Sequence, residues 1–150
     1  MCINIVEIER FKWEQRTRNS LTKLFLTEKF KYKLTGFMCM EMAKKNLLRI
    51  NAGFGGTLRS SSSLDFAIEM QKNKKIGNYK KLAYLFRAIL VDHPFSDGNK
   101  RTALFLAYAF ASEFNKSVDR DLLIQQIISI AKNNIKEVSL IERRIKNAVR

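Results

Sequence analysis

From Thr35 onward, apolar positions recur along this chain at helical rather than strand-like spacing. Phe37, Met38, Met42 and Leu48 fit one helix. The Gly53-Phe54-Gly55-Gly56 run ends it, because glycine admits the left-handed backbone of a helix stop. Residues 53–63 hold three glycines and four serines and offer little to bury, so they predict a loop and the best candidate for a mobile flap. Ser63 is placed to cap a helix holding Leu64, Phe66, Ala67, Ile68 and Met70, which ends in the Lys72-Asn73-Lys74-Lys75 turn. Asn78 is placed to cap the next, whose apolar positions Leu82, Leu85, Phe86, Ile89 and Leu90 line one face. His93 continues that face. Pro94 disfavours helical geometry in the residue before it, so the helix is expected to stop at His93 with the imidazole turned toward the protein.

Between Lys100 and Phe114, Ala103, Leu104, Phe105, Leu106, Ala107, Ala109, Phe110 and Ala111 leave almost no polar face. A helix apolar all round predicts a buried central helix. Asp119 or Asp121 opens a further helix with Leu122, Leu123, Ile127, Ile130 and Ala131. Ser139 and Glu142 have capping-box spacing in a last one with the stripe Val138, Ile141, Ile145 and Ala148. Ahead of Thr35 the pattern is ambiguous: Ile3, Ile5, Val6 and Ile8 fit a short strand or a helix start, while Phe30, Tyr32 and Leu34 alternate with lysines as an edge strand does. Trp13 and several phenylalanines make residues 1–34 too apolar for a disordered tail, so they are expected to dock on the core as an N-terminal extension. The predicted class is all-α with at most one small hairpin.

Composition narrows this picture. A chain of 150 residues suits one domain that buries about two thirds of its unfolded surface. No uncharged apolar run approaches the roughly 20 residues of a membrane-spanning helix, and the N-terminus lacks a basic segment followed by an apolar one. A soluble, cytoplasmic protein is therefore expected. Cys2 and Cys39 have no second Cys or His at ligand spacing and are expected to be inert thiols. A net charge of +14 favours acidic partners, nucleic acid and nucleotides among them, and is equally explained by a lysine-rich solvated surface. Nucleic-acid binding is the less favoured function, because the aromatics sit at core spacing rather than interleaved with basic residues.

The chemistry is concentrated in His93-Pro94-Phe95-Ser96-Asp97-Gly98-Asn99-Lys100-Arg101, which contains the chain's one histidine and one proline. Polyphosphate needs cations and backbone donors, a divalent metal needs a hard oxygen ligand, and an attacking hydroxyl needs a base that works near neutral pH. Lys100, Arg101 and the N–H groups from Gly98 to Lys100 at a helix start suit phosphate. Asp97 suits Mg²⁺. His93 is the residue type for the base. Asn99 suits either holding the loop through its amide or contacting phosphate, and Phe95 reads as the core anchor beneath. Each part has a plainer reading: a lone histidine is more often structural or merely exposed, Asp97-Gly98-Asn99 is an ordinary turn, and Lys100-Arg101 an ordinary solvated pair.

As an ordered string, these residues resemble the Fic/Doc signature, His-x-Phe-x-(Asp/Glu)-(Gly/Ala)-Asn-(Gly/Lys)-Arg, at every fixed position. The resemblance extends more loosely over 34–148, taking in the glycine-rich stretch before Arg59, the Leu64 to Glu69 segment and the Phe110 to Asp119 segment. It implies the family's helical core over residues 35–150, ATP and Mg²⁺ as cofactors, and a protein Ser, Thr or Tyr hydroxyl as acceptor. His93 would deprotonate that hydroxyl, Asp97 would hold Mg²⁺, and Gly98, Asn99, Lys100 and Arg101 would cradle phosphates. Gly56, Thr57, Leu58 and Arg59 would belong to the flap that registers the target, although Ser60 stands where many Doc relatives carry Asp.

Two departures distinguish the branches. Fic adenylyltransferases usually have Gly at the position of Lys100 and a second Arg three residues after the first, where this chain has Leu104. Both resemble Doc, and imply an inverted ATP that presents its γ-phosphate: a protein kinase toxin acting on a translation factor such as an elongation factor, with protein adenylylation (AMPylation) as the alternative. The family's inhibitory Ser/Thr-x-x-x-Glu-(Gly/Asn) signature does not occur here, so inhibition is expected from a separate antitoxin.

Overall fold

A computed structural model describes residues 44–150. The elements expected from residues 1–43, including the docked extension, the strand-like stretches and the first part of the Thr35 helix, lie outside these. The described residues form six helices: α1 (Lys44–Gly53), α2 (Ser62–Gln71), α3 (Asn78–Leu90), α4 (Asn99–Glu113), α5 (Arg120–Lys132) and α6 (Val138–Ala148). None of these is long and apolar enough to cross a membrane. No strand forms among the described residues, and the all-α expectation holds. Antiparallel pairing there is limited to two isolated bridges, Leu58 with Phe95 and Val118 with Val149.

The apolar run that predicts a central helix forms one. Nine of the fifteen residues of α4 are buried, including Leu104, Phe105, Leu106 and Phe110. Each large apolar side chain so buried contributes about 1.5–3 kcal/mol. α4 packs against α1, α3 and α5, while α3 also meets α2 and α6, and α5 packs on α6. Tyr79 in the first turn of α3 packs tilted against Phe110 near the end of α4, with ring centroids 4.8 Å apart. The two helices are therefore antiparallel, and the loop between Leu90 and Asn99 closes one end of the bundle. All five apolar positions that define the face of α3, Leu82, Leu85, Phe86, Ile89 and Leu90, are buried. On α2, by contrast, Phe66 is half exposed, edge-on to Tyr84.

Helix starts differ from expectation in three of four cases. α2 begins at Ser62 after Ser61, so Ser63 lies inside it rather than capping it. Gly77 precedes α3 and Asn78 is its first residue. α6 begins at Val138 after Glu137, and the Ser139–Glu142 capping box is replaced by an ion pair of Glu142 with Lys146 at 2.8 Å. Only Asp119 behaves as a side-chain cap, accepting the Leu122 N–H at 3.1 Å. Helix ends are more regular. Gly55, Asn115 and Asn134 follow α1, α4 and α5 with positive φ, and Gly56, Lys116 and Ile135 donate back to the carbonyls of Asn51, Ala111 and Ile130. This is the Schellman arrangement, with asparagine replacing glycine twice. At α1 it delivers the chain into the glycine- and serine-rich loop beside the α3–α4 connection.

Candidate active site

Phe95 anchors the connection between α3 and α4. It is 2% exposed and part of the common core, so truncating it to alanine would cost about 3–5 kcal/mol. The chain on either side is tied to the loop after α1. Arg59 and Ser60 both donate backbone N–H to the Pro94 carbonyl, at 2.7 and 3.2 Å, and Ser96 N–H donates to the Thr57 carbonyl at 2.8 Å. The Ser96 hydroxyl completes the link by accepting the Thr57 N–H at 3.0 Å. The stretch read as a flap, Gly56 to Arg59, is thus paired at its centre to the motif loop, with the Leu58 side chain exposed beside it.

His93 is exposed, which corrects the expectation that its imidazole turns toward the protein. Helix α3 ends at Leu90, three residues before the histidine, and His93 takes a left-handed backbone with φ 46°. Helical phase therefore no longer sets its direction. A non-glycine residue at such a φ is uncommon and is held by its surroundings. Here the bonds of Arg59 and Ser60 to Pro94 supply the hold. The outcome is an imidazole open to solvent.

Asp97, Gly98 and Arg101 form one turn at the start of α4. Gly98 has φ 75° and sits at the N-cap position, where its N–H donates to Asp97 Oδ1 at 2.6 Å. Arg101 donates to Asp97 Oδ2 at 3.2 Å and lies over the Phe54 ring at 5.6 Å from the centroid. The guanidinium is thus aimed by an aromatic face and a carboxylate, with its side chain only 11% exposed against 64% for Asp97. The first backbone bond into α4 is Thr102 N–H to the Gly98 carbonyl. The first-turn N–H groups have no intrahelical acceptor, and with the helix dipole they favour an anion at this end. Asn99 takes the loop-holding role: its Oδ1 accepts the Phe95 N–H at 3.3 Å and its Nδ2 donates to the Phe95 carbonyl at 3.0 Å.

The donor set fits Mg²⁺. Among the described residues no cluster of three or more His, Cys, Asp or Glu side chains forms, so an all-protein metal cage is not built there. A single exposed carboxylate suits a metal that keeps waters and takes its other oxygens from phosphates. Each Asp97 oxygen accepts one bond and keeps capacity for another.

Residues 33–111 match the family model described as the Fic/DOC family, over half of the chain. The chain belongs to the Fic/DOC family. Neither the comparison with curated proteins nor that with solved structures found a match. Fic/DOC proteins are typically transferases that use a nucleoside triphosphate and a metal, and the matched region contains the His93–Arg101 loop whole. It also contains α1, whose Asn51 is the partner of this loop that sequence reasoning missed. Asn51 on α1 is fully buried and donates from Nδ2 to the Asp97 carbonyl at 2.8 Å and to Thr102 Oγ1 at 3.2 Å. An isolated asparagine in a helix gives no periodic signal, and the only hint of it lay in Gly56, whose lack of a side chain makes room for it.

Proposed function

We propose that this chain is a Doc-like protein kinase toxin that transfers the γ-phosphoryl group of ATP to a hydroxyl of a translation factor, an elongation factor being the favoured target, with Mg²⁺ bound at Asp97. The burial of Leu104 carries the choice of reaction. It stands where Fic adenylyltransferases usually have a second Arg, and at 1% exposure it faces the core, so its position offers no contact to a phosphate. The adenylylating orientation of the nucleotide thereby lacks a charge-assisted partner, while Lys100 occupies the position where those enzymes have glycine.

In this reading His93 takes the proton from the target hydroxyl as its oxygen attacks the γ-phosphorus. The bond from that phosphorus to the β,γ-bridging oxygen breaks, and ADP leaves. Arg101, Lys100 and the first-turn N–H groups of α4 hold phosphate oxygens, and Asn99 keeps the loop in register through Phe95. Mg²⁺, when bound, neutralises the charge that moves onto the leaving oxygens. A separate antitoxin protein is the proposed inhibitor.

The test is differential labelling. The protein is incubated with Mg²⁺, a purified elongation factor or a soluble cell extract, and ATP labelled at either the α- or the γ-phosphate. Label from the γ position on acceptor protein is the expected result. Label from the α position would replace phosphorylation by adenylylation at the same site, and label from neither would overturn transfer to these acceptors.

A further inference from the structure

We infer that Asn51, outside the motif, is a positioning residue for the phosphate and metal site, acting through the Asp97 main chain; this rests on the reading of that site given above. Asn51 is fully buried, and while its Nδ2 makes two hydrogen bonds, its Oδ1 finds no partner among the described residues. A buried unsatisfied carbonyl oxygen costs on the order of 1–3 kcal/mol, so a packing role alone would be served better by an apolar residue of the same size.

What the side chain accomplishes is to fix the carbonyl of Asp97. That carbonyl belongs to the peptide unit joining Asp97 to Gly98, whose N–H is the donor to Asp97 Oδ1. Holding the plane of this peptide sets both the left-handed elbow at Gly98 and the direction of the carboxylate. Its second bond, to Thr102 Oγ1, reaches the first full turn of α4, so one amide spans the cradle from its acid to its helix.

The surrounding glycines accommodate this contact. A Cβ on Gly56 would overlap Asn51 Oδ1 and the Asp97 carbonyl oxygen, and a Cβ on Gly98 would lie 2.9 Å from Phe54 Cβ and 3.1 Å from Asn51 Nδ2. Both glycines therefore permit the close approach of α1 to the motif loop. Gly56 also belongs to the stretch paired with Pro94 and Ser96, so Asn51 lies between the proposed target-registering loop and the proposed metal ligand.

The experiment measures binding of a non-hydrolysable ATP analogue with Mg²⁺ by calorimetry, and thermal unfolding, on the unsubstituted 150-residue chain and three variants. Asn51→Ala and Asn51→Ser remove the amide without adding volume or charge. Thr102→Val removes the other acceptor of Nδ2 while leaving the Asp97 contact in place. The Asn51 variants are expected to bind the Mg²⁺–nucleotide about tenfold more weakly, and Thr102→Val to bind as the unsubstituted chain does despite a lowered melting temperature. Unchanged affinity in folded Asn51 variants, or the same loss in Thr102→Val as in them, would reduce Asn51 to a structural residue and overturn the inference alone. Absence of binding by the unsubstituted chain would overturn the reading of the site and this inference together.

Discussion

Asn99 grips Phe95 through both of that residue's backbone polar groups, accepting its N–H at 3.3 Å and donating to its carbonyl at 3.0 Å. The side chain of Phe95 is in the core, so its backbone lies too deep for water to replace these bonds without rearrangement. Asn99→Ala is expected to lose about 1–3 kcal/mol of stability, measured by denaturant unfolding. Unchanged stability with weakened nucleotide binding would move Asn99 from holding the loop to contacting phosphate.

Arg101 and Asp97 are each other's partner at 3.2 Å, four residues apart across the start of α4. A phosphate must attract the guanidinium without losing its aim, which the Phe54 face preserves. Arg101→Lys keeps the charge but loses the planar fork and the stacking. It is expected to weaken Mg²⁺–nucleotide binding about tenfold, and Arg101→Ala more, while in Arg101→Ala the affinity of Asp97 for Mn²⁺ as a Mg²⁺ probe holds or rises because its ion-pair partner is gone. An equal loss of bare-metal and nucleotide affinity would contradict these separate roles.

The Lys44 ammonium, bonded to Asp65 at 3.0 Å, is the main cause that holds this carboxyl below its usual range, with burial opposing and Ser61 assisting. A carboxyl lowered in the folded state adds stability above its unfolded pKa of about 4, and that addition fades as the pH falls through the lower folded value. Melting curves of the unsubstituted chain and Asp65→Asn are therefore expected to differ slightly at neutral pH and to converge in strong acid. The pair is exposed, so the difference is small. A gap that widens toward acid would contradict the assignment.

How much could be read in advance depended on the kind of signal. The interior of α4 was readable because Leu104, Phe105, Leu106 and Phe110 are buried on every side, and burial writes itself as composition. The motif loop was readable because its residues are consecutive. Helix starts were not: Ser63, Asn78 and Ser139 all suit a cap by type, but the choice among neighbouring polar residues is made by tertiary packing, and only Asp119 makes the bond. The direction of His93 does not follow the phase of Leu82 to Leu90, because the chain leaves the helix at Leu90 and turns through a positive φ. Asn51 could not be read, since a contact spanning 46 residues leaves no local pattern.

In the proposed reaction His93 moves a proton while the start of α4 holds the nucleotide, and His93→Ala separates the two. Calorimetry with Mg²⁺ and a non-hydrolysable ATP analogue should find the affinity within about threefold of the unsubstituted chain, because no phosphate contact is assigned to His93. Transfer of γ-label to acceptor protein, measured on the same preparation, should fall at least about 100-fold, the lower bound for loss of a positioned general base. Full transfer by His93→Ala would contradict the account.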